Sequence, residues 1–374
     1  MSVSAARVDL GAIRRNVARL AECAGSASVM AVVKADGYGH GILPSAKAAL
    51  DGGATWLGVA MADEALELRN AGITAPVLAW LLGPGDDWTT AAAAGVDLGV
   101  NALWALERAT AAAATNATPT RVHLKVDTGL GRGGAQPTDW PDLVDAAAKA
   151  QADGTVEVIG VWSHLAYADN PGHPTIEKQH EVFDAALEVA SKAGIRPKVR
   201  HLANSAATLR SPSTHYDLVR PGVAVYGLSP GPEVGVSSEL GLTPAMTLTT
   251  QVALTKQVPA GHGVSYGHRY VAPRDTTLAL IPLGYADGVP RHLTNIGEVS
   301  LGGRRYRIAG TVCMDQFVLD IGSDPVAIGD EVILFGPGTT GEPTAEDWAE
   351  AIGTINYEIV TRVGARVPRS YEGA

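Results

Sequence analysis

The chain has 374 residues, 46% of them apolar, and two cysteines, Cys23 and Cys313, which lie far apart and lack metal-like spacing; it suits one large and one smaller domain and not a disulfide scaffold. A formal net charge of −10 disfavours nucleic-acid and anionic-membrane surfaces, and no run nears the roughly 18 apolar residues that cross a bilayer. The expectation is a globular, cytoplasmic protein without a secretory leader or a metal site, acting on small molecules.

Residues 8–20 show helical spacing, with Asp9 placed to cap them. Strand and helix signals then alternate. Strands are expected at 28–33, 55–59, 76–81, 96–100, 121–126, 156–163, 198–202 and 218–226, with Ala-rich helical stretches such as 62–70, 103–114, 143–152 and 176–193 between them. Repeated strand-then-helix order implies parallel strands, and eight units in about 230 residues predict a closed (β/α)8 barrel. Past residue 235 short runs rich in Val, Leu, Thr and Ile alternate with Gly and Pro, which predicts a mainly antiparallel β domain interrupted by a helix at 345–352. The expected domains are therefore 1–235 and 236–374, with room for the first ~10 residues to pack against the second domain.

Chemistry concentrates in a few strings. AVVKADGYGHG, residues 31–41, runs a buried strand into Lys34 and a Gly-rich turn containing Tyr38. A lysine at a strand tip either snorkels into solvent or, partly desolvated, offers an amine of lowered pKa for Schiff-base chemistry. HLKVDTGLGRGG, residues 123–134, places Gly129, Gly131 and Gly134 in G-x-G-x-x-G spacing, a weak signal in a chain with 43 glycines and one far from a first βαβ unit. Lys125, Asp127 and Arg132 are then the residues of interest, the glycines letting the loop fold back over a ligand.

His164 ends the sixth strand, either as a hydrogen-bonded core residue or as part of a site. HLANSAAT sets Asn204 and Ser205 at a helix start, where free N–H groups bind anions and where Ser205 can equally serve as a cap. DLVRPGVAVYGL contains Arg220 followed by Gly222, Val223 and Tyr226; the last three, together with Ser205, are better explained by a phosphate after strands seven and eight than separately by packing. Tyr266 in VSYG, Met314 in TVCMDQF and Tyr357 in TINYEIVTRV follow in the second domain.

Six such strings, in this order from residue 8 to about residue 366, resemble the alanine racemase family. The resemblance implies pyridoxal 5'-phosphate on Lys34, with Tyr38, Arg132, His164, Asn204, Ser205, Arg220, Gly222, Val223 and Tyr357 around it. Arg132 would meet the phenolic oxygen and the substrate, and Lys125 matches the lysine carbamylated in several members. Arg220 would face the pyridine nitrogen; being permanently charged, it keeps its proton and leaves the ring a weaker electron sink. Tyr266, acting as a second base opposite Lys34, and the Met314 N–H, binding the substrate carboxylate, would come from the other subunit of a homodimer. The activity implied is interconversion of L- and D-alanine for peptidoglycan. Trp80 departs from the smaller aliphatic residue of many members. The alternatives are a broad-specificity racemase or a related decarboxylase of the same barrel type, and a non-catalytic pyridoxal-phosphate carrier, against which the long β domain counts.

Overall fold

The computed structural model describes residues 3–373. Eight parallel strands, Ser28–Val32, Trp56–Val59, Val77–Ala79, Asp97–Val100, Thr120–Lys125, Val156–Trp162, Val199–His201 and Leu218–Val219, form one sheet that curls until the last returns to the first, pairing Leu218 with Ser28 and Val219 with Val29. Between the seventh and eighth strands the Asp217 N–H donates to Arg200 O at 3.1 Å and the Arg220 N–H to Ala203 O at 2.9 Å. The result is a nearly closed barrel.

Helices cover the outside. The helix Ala62–Asn70 is the one expected, and Leu103–Asn116, Trp140–Ala152 and Pro174–Lys192 lie within a few residues of expectation. Two expected elements differ. The eighth strand stops at Val219 because Pro221 has no N–H for a ladder, and Val223–Tyr226 is a 3-10 turn instead. The first helix is Leu10–Ala24, capped by Asp9, whose carboxylate accepts the Ala12 N–H at 2.9 Å. Val8 lies before it, in the strand Ala5–Asp9, whose alternate residues Ala6 and Val8 are buried.

That strand belongs to the β domain. It pairs antiparallel with Met246–Gln251 on one side and parallel with Arg369–Glu372 on the other, inside a six-stranded sheet that continues through Glu331–Phe335, Glu298–Leu301 and Arg304–Arg307. A second sheet joins Leu254–Val258, Thr276–Ile281 and Phe317–Gly322, all antiparallel. The helix Ala345–Ile352, capped by Thr344, sets Trp348 edge-on to Phe335 at 5.4 Å. Among the described residues no helix is long and apolar enough to cross a membrane.

The barrel interior is distinct from the main core. Met30, Leu78 and Leu218 form a small apolar cluster there, with Trp56, Trp80 and Val199 against it. A side chain on Gly58 would come within 2.7 Å of the Trp80 indole, so that glycine makes room for the residue the sequence left without a role. Trp80 lies beside the lysine, whose Nζ is 5.9 Å from the indole ring.

Candidate active site

The first barrel strand delivers Lys34 to the mouth of the barrel, and the chain then makes an unusual turn. Ala35, Asp36 and Gly37 have φ/ψ of 53/51°, 52/48° and 60/43°, and Tyr38 has φ 53°, which is a turn of left-handed helix. Each L-residue so placed costs roughly 1–2 kcal/mol, so the turn persists only where its surroundings fix it. The Gly37 N–H donates to Val33 O at 2.9 Å, the Gly39 N–H to Ala35 O at 3.0 Å and the Gly41 N–H to Asp36 O at 2.8 Å. Asp36 Oδ1 accepts the Ile42 N–H at 2.8 Å. Glu64 Oε1 accepts the Ala35 N–H at 2.6 Å, while its Oε2 takes the N–H groups of Ala60 and Met61. Gly39 is required by contact as well as by conformation, since a Cβ would sit 2.6 Å from Val360 O. Lys34 is half-buried, and burial, reinforced by Arg132 and opposed by Glu64, holds its amine below the ordinary lysine pKa.

Further basic groups stand with this amine around His164. Lys125, at the end of the fifth strand, has its Nζ 4.5 Å from the centre of the Trp162 ring and is pushed down to about 8 by burial and by the charges of Arg132 and Arg220. Arg132 is exposed at the mouth, on a loop shaped by Asp127, whose Oδ1 accepts the N–H groups of Gly129, Leu130 and Gly131 at 2.9, 3.0 and 3.2 Å. Asp127 thus organises the loop that carries Arg132. His164 is kept neutral, far below its usual pKa, first by burial and then by Arg220, Arg132, Lys125 and Lys34 together.

Arg220 is buried beneath them, and burial lowers its guanidinium to about 9, still charged at neutral pH. Its NH2 donates to Ser163 O at 2.8 Å, to Leu202 O at 3.3 Å and to His164 Nδ1 at 3.3 Å, and its NH1 donates to His201 Nδ1 at 3.1 Å. The guanidinium also lies 4.9 Å from the Trp162 ring centre.

After strands seven and eight, Ser205 Oγ accepts the Gly222 N–H at 2.8 Å and the Ala224 N–H at 3.4 Å, tying the two loops together. The cap of the short helix Ser205–Arg210 is Asn204, whose Oδ1 accepts the Ala207 N–H; capping falls one residue earlier than the sequence suggests and engages that oxygen. Gly222 packs directly on the Tyr38 hydroxyl, where a Cβ would collide. Tyr38 in turn lies 5.0 Å from Tyr226 and 6.2 Å from Tyr357, ring centre to ring centre, and the Tyr226 hydroxyl is anchored on Val32 O. Val223 begins the 3-10 turn at this point. Tyr38, Ser205, Gly222, Val223 and Tyr357 therefore form one small-walled cradle.

Tyr266 and Met314 lie elsewhere. Tyr266 is 74% exposed and Met314 52%, both on the β domain. Their segments are joined to each other, the Thr311 hydroxyl donating to Tyr266 O and the Ser265 hydroxyl to Thr311 O. One chain thus brings together every expected barrel residue and sets these two facing outward.

The sequence reading missed Glu64 and Gln179. Gln179 Nε2 donates to Thr128 Oγ1 and to His164 O, both at 3.0 Å, holding the Asp127 loop and the His164 backbone in register. A glutamine at the sixth position of a long outer helix carries no local signal of such a duty. Glu64 was better marked, as the third residue of a helix preceded by a strand end.

An amine of lowered pKa at the mouth of a barrel, with basic side chains around it, defines a class: lysine-dependent barrel enzymes that act on small anions. The particular family follows from comparison. Residues 8–230 match the alanine racemase N-terminal domain and residues 245–371 the alanine racemase C-terminal domain. An alanine racemase of Frankia casuarinae is 66% identical, covering 98% of this chain and 96% of its own. The crystal structure of alanine racemase from D-cycloserine producing Streptomyces lavendulae superposes with a TM-score of 0.99 at 54% identity, covering 100% of this chain and 98% of that one. That of Corynebacterium glutamicum gives 0.88 at 38%, covering both chains fully. The chain belongs to the alanine racemase family, and is an isomerase.

Proposed function

We propose that the chain interconverts L- and D-alanine with pyridoxal 5'-phosphate, as a cytoplasmic homodimer that supplies D-alanine for peptidoglycan. The observation that carries this reading is the set of Lys34, Lys125, Arg132 and Arg220 around His164, with Arg220 bonded to that ring and the turn after Lys34 carrying Tyr38 into contact with Gly222. The donor set fits that cofactor: a lysine of lowered pKa for its aldehyde, a glycine-walled cradle for its phosphate, and a buried guanidinium bonded to His164 for its ring. When bound, pyridoxal phosphate supplies the electron sink that acidifies the α-C–H of the amino acid.

The protein's own groups do the rest. Lys34 Nζ, depressed in pKa, takes the α-proton of D-alanine or returns one to that face. Tyr266 of the partner subunit serves the opposite face, handling the α-proton of L-alanine. Its outward exposure and that of Met314, whose N–H would hold the substrate carboxylate, support a site completed across a dimer. Arg220 keeps its own proton, so the ring end of the pocket offers a hydrogen bond and no acid. Arg132 holds the phenolic oxygen and the substrate, and a carbamylated Lys125 would hold Arg132. Asn204, through its cap, Ser205 and Tyr357 frame the phosphate.

The test is absorbance of the purified protein before and after borohydride, followed by a D-amino-acid assay on L-alanine and on larger amino acids. A Schiff-base band abolished by borohydride, a label on Lys34 and rapid D-alanine formation are expected. A bound cofactor without turnover on any amino acid would refute the racemase reading.

A further inference from the structure

Arg220 has a buried positive charge, and among the described residues none of its hydrogen-bond partners is a carboxylate. Isolated charges are expensive to bury, so the compensation must come from elsewhere. It is found by following His201. His201 Nε2 lies 2.8 Å from His123 Nδ1, and His123 Nε2 lies 3.2 Å from Asp97 Oδ2. Asp97 is gripped from the other side by Arg121, whose Nε and NH2 donate to its two oxygens. His123 and His201 are fully buried and Asp97 is 1% exposed.

The direction of this chain is forced by valence. A guanidinium can only donate, so His201 Nδ1 must accept, and a neutral His201 then carries its proton on Nε2. That proton points at His123 Nδ1, which must accept in turn. His123 therefore carries its own proton on Nε2 and donates it to Asp97. Reversing any link would leave a nitrogen without a proton where one is needed, or set two donors head to head. Burial, with Arg220 and His123 nearby, keeps His201 neutral. Burial alone would raise the Asp97 pKa, yet its hydrogen bonds from His123 and Arg121 bring it below the usual carboxylate value.

The rest of the barrel interior makes room for the chain. A Cβ on Gly160 would collide with the His123 ring, His201 stacks on Trp162 at 5.6 Å with 6° between planes, and Trp56 meets His123 edge-on at 5.6 Å. Other interior positions, Met30, Leu78 and Leu218, are apolar, so packing alone does not call for two imidazoles in series.

We propose that Asp97, His123 and His201 form a one-way hydrogen-bond chain through the barrel that keeps Arg220 charged and oriented toward the reaction, which makes Asp97 and His123 positioning residues. The carboxylate compensates the guanidinium from two imidazoles away. No proton acceptor stronger than a neutral imidazole then touches Arg220, and it remains a donor. This inference rests on the assignment of Arg220 to the cofactor pocket.

The test is the nitrogen-15 magic-angle-spinning spectrum of the histidine-labelled holoenzyme, which reads the tautomer of each ring directly. Both His123 and His201 should be neutral, protonated on Nε2 and bare on Nδ1. An Nδ1-protonated tautomer or an imidazolium at either ring overturns the chain, and in an enzyme that still holds its cofactor and racemises alanine it does so without touching the proposed function. In Asp97→Asn the signals of both rings should shift and kcat should fall about 10-fold, with the KM for alanine within about twofold, as expected for a misoriented group that does not bind substrate. Gly160→Ala, which displaces His123 while leaving Asp97 and Arg121 intact, should shift the same two signals. Unshifted His201 signals in whichever of the two variants folds would overturn the proposal; if neither folds, the wild-type tautomers decide it.

Discussion

The Glu64 carboxylate receives the Ala35 N–H at 2.6 Å, one residue beyond the lysine, and with its other oxygen it receives the N–H groups of Ala60 and Met61. One side chain thus ties the left-handed turn to the start of the following helix. A hydrogen bond to a charged group contributes about 1.5–3 kcal/mol. Glu64→Ala should therefore lower unfolding free energy by at least about 2 kcal/mol and let the cofactor dissociate on dialysis. Urea unfolding and residual cofactor absorbance measure both; an unchanged pair would mean that the turn is held without Glu64.

Gly222 and Tyr38 should show strong coupling. Gly222→Ala pushes a methyl into the Tyr38 hydroxyl, and overpacking of this kind costs about 1–3 kcal/mol. The dissociation constant for pyridoxal phosphate should rise about 10-fold or more in the single variant. Adding Tyr38→Phe, which removes the clashing oxygen, should recover part of that loss. Additive losses would show that the contact between the two residues is not the cause.

Lys125 gives the pH dependence. Its folded-state pKa, about 8, lies below the ordinary lysine value of 10.5. Between those limits the unfolded chain binds the extra proton, so stability rises as pH climbs through the window and is lowest, for this group, below it. In bicarbonate-free buffer the urea midpoint of the wild type should gain more between pH 8 and pH 10 than that of Lys125→Met. With carbon-13 bicarbonate added, the partly neutral amine should yield a carbamate resonance absent from the variant. Equal midpoint gains in both proteins would remove Lys125 as the titrating group.

A site shared between subunits can be rebuilt from two broken ones. Lys34→Ala and Tyr266→Phe homodimers should each lose activity, the second by about 10²-fold or more while keeping its cofactor. After mixing and exchange of subunits, a hybrid dimer regains one intact site, with Lys34 from one chain and Tyr266 from the other. Restored D-alanine formation is the expected result. Mixing without recovery, when exchange is verified by mass, would return Tyr266 to its own chain.

Much of this architecture was legible in the sequence because short-range rules governed it. Lys34 was marked by a run of β-branched residues ending in glycines, and the helix Ala62–Asn70 by its own composition. What stayed hidden depended on partners distant in the chain. The left-handed turn is held by Glu64 and closed against Val360, and the strand Ala5–Asp9 acquires its extended form from Met246–Gln251. The interior chain had a signal that composition alone does not weigh. In Thr120–Lys125, Arg121, His123 and Lys125 alternate with Val122 and Leu124, and in a barrel strand that alternation sends three polar side chains to one face.

The strand Ala5–Asp9 also dictates when the molecule can be completed. Its neighbour in the sheet is 244 positions away, Thr249 beside Ala5, and its other neighbour is the strand Arg369–Glu372. During translation at about 5–20 residues per second, the first strand emerges and then waits on the order of tens of seconds with both hydrogen-bonding edges bare. The barrel can wind up meanwhile, one unit after another. The strand Met246–Gln251 must emerge before Ala5–Asp9 gains its first partner, and Arg369–Glu372 before it gains its second, so protection of that early strand falls to chaperones or to the speed of synthesis itself.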